Sequence, residues 1–362
     1  MLWKELIYSY AKNNKSKLIL YIIIVFLTFP VESVVLPQMY SKLFEKIRVN
    51  YKYLPSFFSN ITENIKTLSS TGIIWAIIIV WCFVIIFYNL KNKYEADIAP
   101  EYLSYVRQKI FSKTLKNNST NFSEIKVGEH ITRILDVSRN MKDILTFILT
   151  DLFPLVIAII CIISYFFTVQ KNIGIIMLIG IILTCIILIV MGKKCIIKSA
   201  NREKYYLQMS EKINDSFGNL MNVYLNNETE KEIKRNGNID HKHTDSFKDQ
   251  MLYTKNLIGA LSLISVLTFI IILITTYDSL RNNKINQSNF VSIIIILIYY
   301  LGYLIKVSNN IPWFLSKLGI VKNSEIFLNS ILEENKDTQL KNKITQGNIE
   351  FKNVSFKYPG NK

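Results

Sequence analysis

The sequence predicts an all-α membrane protein with six spanning helices, two of whose connections extend into long helical arms. A short β start of another domain follows at the C-terminus. Three observations carry this. Half of the 362 residues are hydrophobic, and six segments of membrane length are nearly free of charge, a composition beyond that of a soluble core. The connections 91–147 and 193–256 keep helical periodicity with almost no proline. The last residues, GNIEFKNVSFKYPGNK, switch to alternation, with Ile349, Phe351, Val354, Phe356 and Tyr358 among polar neighbours before Pro359-Gly360. That is nearly the period of a half-buried strand, closed by a turn.

Residues 1–17 form a polar N-terminal segment. The apolar run behind it is too long for a signal-peptide core and has no small-residue cleavage site, so it is a retained first span. A spanning helix needs about 20 mostly apolar residues, and segments near 18–37, 71–90, 148–168, 173–192, 257–280 and 289–307 qualify. Only Gln170, Lys171, Asn172 and close neighbours join the third and fourth spans, which predicts a tight helical hairpin. A second short connection, Asp278 to Ser288, joins the fifth and sixth. Each long connection can fold as an out-and-back pair of helices, on the order of 25 residues or about 38 Å per arm.

The formal charge of +16 would suit a nucleic-acid binder if it were spread over a soluble surface. It is not. The N-terminal segment holds 4 Lys and Arg, the first arm 10, the second arm 12 and the C-terminal tail 9, against 8 in the opposite loops. This positive-inside bias makes both termini and both arms cytoplasmic, and no nucleic-acid partner is needed to explain the charge. Cys82, Cys161, Cys185 and Cys195 lie in or beside apolar runs without metal-ligand spacing, and read as small buried hydrophobes.

Two ionisable groups sit in apolar runs. Glu32 follows Pro30 in TFPVESVVLP; an ionisable residue at membrane depth marks a functional site by default. With the span taken to end near 37, however, Glu32 lies about 21 Å along it, and a place near the outer interface weighs slightly more. Asp151 stands where the third span opens and reads as its cap. Asp278 and Lys306 fall near span ends, where they can snorkel. The outer loop, 38–70, carries aromatics suited to an interfacial belt and the sequon Asn60-Ile61-Thr62.

The first arm contains NFSEIKVGEHITRILDVSRNM, residues 121–141. Gly128 permits a bend, and Glu129 favours a helix start beside it. Periodicity alone describes an ordinary amphipathic helix. The segment nevertheless resembles the first intracellular loop of ATP-binding-cassette (ABC) exporters, with Phe122, Gly128, Glu129, Arg133, Ile134, Asp136 and Val137 in the family's places. The usual aromatic pair is reduced to Phe122-Ser123, Thr132 replaces a common Ser, and one residue before Asp-Val is missing. In the second arm Asp215, Phe217, Leu220, Val223 and Tyr224 resemble the second loop, although the flanking charges also suit a solvated helix. SKLGIVKNSEIFLNSILEENKD, 316–337, resembles the linker helix and acidic linker after the sixth span, and the C-terminal strand resembles the start of a nucleotide-binding domain.

The resemblance implies a transmembrane domain, 18–310, with cytoplasmic loops 91–147 and 193–256, a linker, 311–346, and the start of a nucleotide-binding domain, 347–362. It implies a half-transporter in membrane lipid that pairs with a second half as a homo- or heterodimer and works by alternating access. A nucleotide-binding domain in cis or in trans binds ATP and Mg²⁺. Phe122, Gly128, Glu129, Arg133, Asp136, Asp215, Phe217 and Tyr224 would couple the spans to it, and Tyr358 would stack on adenine. The G-x-x-x-x-G-K-[ST] loop and the later catalytic carboxylates do not occur in these residues. The expectation is therefore the front part of a longer exporter. The alternative is a motor-less, exporter-derived membrane anchor or regulator. A cation channel fits poorly, because the fourth span lacks a basic ladder and the 278–288 connection is too short for a pore loop.

Overall fold

A computed structural model describes residues 2–48, 70–117 and 127–332, and its described residues are essentially all helical. Helix α1 (Leu2–Asn13) is amphipathic and docks Leu6 and Tyr10 into the core. It is separated from α2 (Lys15–Pro30) at Asn14, whose Nδ2 donates to the Tyr10 carbonyl at 3.3 Å. Pro30 has no N–H to give to the helical ladder. The chain responds with a π-helical turn, Val31–Val35, and then runs on as α3 (Leu36–Arg48). The first span is therefore longer than its apolar stretch suggests.

Helix α4 (Ser70–Asn117) is continuous through Pro100, and α5 (Val127–Phe147) returns towards the apolar layer. A second π-helical turn, Ile148–Leu152, leads into α6 (Phe153–Val169). Asp151 is thus not a cap. Helix was already running from Val127, so no free N–H groups remain at that point for a side chain to satisfy. A single extended residue, Gln170 (φ −158°, ψ 124°), turns the chain into α7 (Lys171–Gly218). The short α8 (Leu220–Leu225) precedes α9 (Thr229–Arg281), and α10 (Gln287–Leu332) follows a turn in which Asn283 has φ 56°.

Six helices, Lys15–Lys46, Thr71–Leu115, Ile134–Val169, Lys171–Gly218, Thr229–Arg281 and Gln287–Lys322, are long and apolar enough to cross a membrane. Helices α7 and α9 have 48 and 53 residues, about 70–80 Å at 1.5 Å per residue, more than twice a hydrocarbon core of about 30 Å. Their surplus length is the second arm. Along their shared face the backbones come close: a Cβ placed on Gly180 would meet Thr268 at 2.5 Å. Small residues at such crossings let membrane helices pack without a hydrophobic driving force.

Two large interior clusters hold the bundle, beside a smaller one in which Leu36 and Met39 of α3 meet Ile73, Ile77 and Val84 of α4. One joins α6, α7, α9 and α10 through residues such as Phe166, Met177, Leu261 and Ile296. The other joins α1, α2, α4 and α5 through Tyr10, Val25, Tyr102 and Met141. Gln250 of α9 donates to Ser199 of α7 at 3.0 Å and to Ser316 of α10 at 3.4 Å. Only 17% of the apolar window of α4 is buried, against 39% for the first and last spans, so α4 presents most of its surface outward.

Candidate functional site

Among the described residues, the two π-helical turns each carry one acidic residue, Glu32 and Asp151. Such turns are rare and recur at functional sites, because the extra residue re-aims the side chains around it. Here both turns take part in one polar and aromatic cluster with α4 and α10. Tyr88 donates its hydroxyl to Glu32. Lys306 of α10 lies 3.4 Å from Asp151, and the Tyr303 hydroxyl donates to the Asp151 carbonyl at 3.5 Å. Phe29 packs edge-on against Tyr88 and Tyr303, at 5.7 and 6.1 Å between ring centroids. Tyr299 stacks on Tyr303 at 6.2 Å.

Beside this cluster, the Tyr21 hydroxyl donates to Glu95 at 2.8 Å and to the Leu149 carbonyl at 2.7 Å. Lys91 pairs with the same Glu95 oxygen at 2.6 Å. Helices α2 and α4 and the second π turn are thereby tied together.

This arrangement adds to two expectations. Glu32 lies near the middle of the Lys15–Lys46 helix rather than near its outer end, because the helix continues to Arg48. The Lys306 side chain is 60% exposed, as a snorkelling lysine would be, but its head group has a partner. Its ammonium is held by Asp151 and lies 5.7 Å from the centre of the Tyr303 ring. Sequence reasoning singled out Glu32 but missed Tyr88, Tyr299 and Tyr303. Each reads as one more aromatic in an apolar run, and only the packing of separate helices brings them together.

The residues that the sequence offers for coupling or for adenine fall in three groups. Phe122 and Tyr358 lie outside the described residues, as does the C-terminal alternating segment. Gly128, Glu129 and Arg133 fall in the first two turns of α5, which begins at Val127. Asp136 follows on the same helix, 3.7 Å from Arg139. The third group forms the tip of the second arm. Asp215 pairs with Lys212 at 3.7 Å, and its carbonyl accepts the Asn219 N–H at 3.1 Å as α7 gives way to α8.

The return is stiffened from within. Ser216 donates to Glu232 at 2.8 Å, and Asn236 donates back to Ser216 at 3.1 Å. Asn227, with φ 54°, makes the sharp bend into α9. Phe217, Met221, Tyr224 and Leu225 remain 62–73% exposed at this tip. A contiguous apolar surface on a rigid support, far beyond the membrane-length segment, is suited to docking.

The model of the family described as "ABC transporter transmembrane region" matches residues 18–304. No curated protein sequence matches the chain. Among solved structures, the chain is similar to a bacterial Atm1-family ABC exporter with ATP bound, with a TM-score of 0.67 and 15% identity. The alignment covers 86% of this chain and 53% of that one. At that identity the likeness is one of fold, and the chain spans about half the length of the solved exporter.

Proposed function

The chain belongs to the family of ABC transporter transmembrane regions, and from that premise we propose that it forms the substrate pathway of an ATP-driven exporter half. Two such halves pair in the membrane, since one bundle cannot enclose a pathway alone. Nucleotide-binding domains, joined in cis beyond the linker or supplied in trans, hold ATP and Mg²⁺. Their closure moves the arms, and the arms switch the pathway between inward- and outward-open states. Both termini and both arms face the cytoplasm, in keeping with the positive-inside charge bias.

The observation that carries this reading is the tip of the second arm. Phe217 in the last turn of α7, and Met221, Tyr224 and Leu225 on the short helix after it, are exposed at the end of two helices far longer than a bilayer requires. Nothing in membrane packing calls for that surplus length, whereas docking on a motor domain does. Phe217 and Tyr224 supply the contact, Asp215 sets the turn that presents them, and Phe122, Gly128, Glu129, Arg133 and Asp136 serve the first arm. Glu32 and its aromatic neighbours are the polar site within the pathway, and Tyr358 stacks on adenine.

The test uses the full-length protein. Replacing Phe217, Met221, Tyr224 and Leu225 together by serine leaves ATP hydrolysis but abolishes its link to transport. Undiminished transport by that variant, with the tip around Phe122 also replaced by an Ala-Ser linker, refutes the assignment.

A further inference from the structure

The Glu32 cluster goes beyond a generic polar site, and the charge of its ligand can be read from its parts. The aromatic faces are already used by cations of the chain itself. The Lys306 ammonium lies 5.7 Å from the Tyr303 ring centre, and the Lys91 ammonium lies 5.9 Å from that of Tyr88. Both distances fall within the range of cation–π attraction. Lys91 is spoken for by Glu95 at 2.6 Å, and Asp151 accounts for Lys306 at 3.4 Å.

Glu32 accepts from a neutral partner, the Tyr88 hydroxyl; among the described residues no Lys or Arg lies within ion-pair distance of it, and the charge of Lys306 acts on it only from further off. The cluster therefore holds one more carboxylate than it has ammonium groups to balance. The Lys306 side chain is 60% exposed, whereas that of Asp151 is 13% exposed, so its stem lies open while its ammonium is paired.

We propose that the face formed by Glu32, Tyr88, Tyr299 and Tyr303 is a subsite for an organic cation, with Lys306 as its resident competitor. Aromatic rings with a single carboxylate favour a weakly hydrated organic cation. A hard metal ion would demand six or more oxygen ligands. Lys306 lies over the Tyr303 ring while paired with Asp151, and it leaves the ring face for water when a ligand arrives. The proposal rests on the exporter reading for the statement that this cation is carried; its binding does not.

Binding of tetraphenylphosphonium, and of tetraphenylborate as an anion of the same shape, to the full-length protein in lipid nanodiscs decides the matter. The phosphonium binds and the borate does not. Glu32→Gln weakens phosphonium binding roughly tenfold, about 1.4 kcal/mol, Tyr303→Leu weakens it also by removing a cation–π face, and Lys306→Gln tightens it. Equal binding of cation and anion, or a Lys306→Gln variant that binds no better than wild type, overturns the subsite. Where Glu32→Gln does not fold, the Tyr303→Leu and Lys306→Gln pair decides alone, because the two shift affinity in opposite directions. ATP hydrolysis measured on the same samples reads the exporter assignment separately. Its absence overturns that reading and leaves the binding comparison to judge the subsite.

Discussion

Removing Glu95 tests how the inner part of the bundle is held. Its carboxylate lies 2.6 Å from Lys91, with the two side chains 19% and 8% exposed, and accepts the Tyr21 hydroxyl at 2.8 Å. Glu95→Ala strands a lysine ammonium in a site from which water is nearly excluded. Breaking a buried pair on one side costs about 3–5 kcal/mol, most of it the penalty on the orphaned charge. Tyr21 keeps its bond to the Leu149 carbonyl, 2.7 Å away, so the hydroxyl adds little to the loss. The double variant Lys91→Met/Glu95→Leu removes both charges and refills the space. It recovers to within about 1 kcal/mol of wild type, because a buried pair contributes little net stability over apolar residues of similar size. The assay is a denaturant or thermal midpoint of the purified protein in detergent. Glu228→Ala serves as the control, since the Lys231–Glu228 pair is 72% and 42% exposed and its loss leaves the midpoint unchanged. A Glu95→Ala midpoint equal to that of the control, or a double variant as unstable as the single, refutes the reasoning.

Three further outcomes are expected. Gly180→Leu forces α7 from α9, because even a Cβ would lie 2.5 Å from Thr268; overpacking of this kind costs about 1–3 kcal/mol, read as a lowered midpoint, and an unchanged midpoint contradicts the close crossing. Gln250→Met loses the bonds to Ser199 and Ser316 but also removes a buried carbonyl oxygen without a partner; the two effects offset to a net loss of about 1 kcal/mol, smaller than that of Gln250→Ala in the same melt. Burial, then the charge of Glu101, pushes Tyr10 from 10.0 up to about 12. With the folded value raised, the stability of the α1–α4 contact is whole below pH 10 and declines as pH rises towards 12; Tyr10→Phe flattens that limb in midpoint-against-pH curves, and an unaltered limb refutes it.

Much of the scaffold was legible because membrane helices are written in long apolar runs. The six spans, the turn at Gln170 and the connection after Arg281 follow from run length and polar punctuation alone. The tip of the second arm was half legible. Phe217 and Tyr224 stood out, whereas Met221 and Leu225 gained meaning only once α8 was seen to expose them. The π turns were not legible, because an extra residue in a helix changes neither composition nor the apparent period over so short a stretch. Asp151 looked like a cap for the same reason that it is not one: apolar residues begin there, but helix does not. Likewise the partners of Glu32 come from α4 and α10, and no local pattern announces an encounter between residues 32, 88 and 303.

The single residue that joins α6 to α7 has a mechanical consequence. Gln170 allows the two helices to splay but gives them no slack to slide past one another. It thus acts as a fulcrum, with 48 residues of α7 hanging from it, about 72 Å of stiff rod. The middle of a bilayer lies only about 15 Å from such an end. Motion at the far tip is therefore geared down about fivefold at mid-membrane, so a 10 Å stroke there becomes roughly 2 Å at the level of the side chains. A reduction gear of this kind trades travel for force.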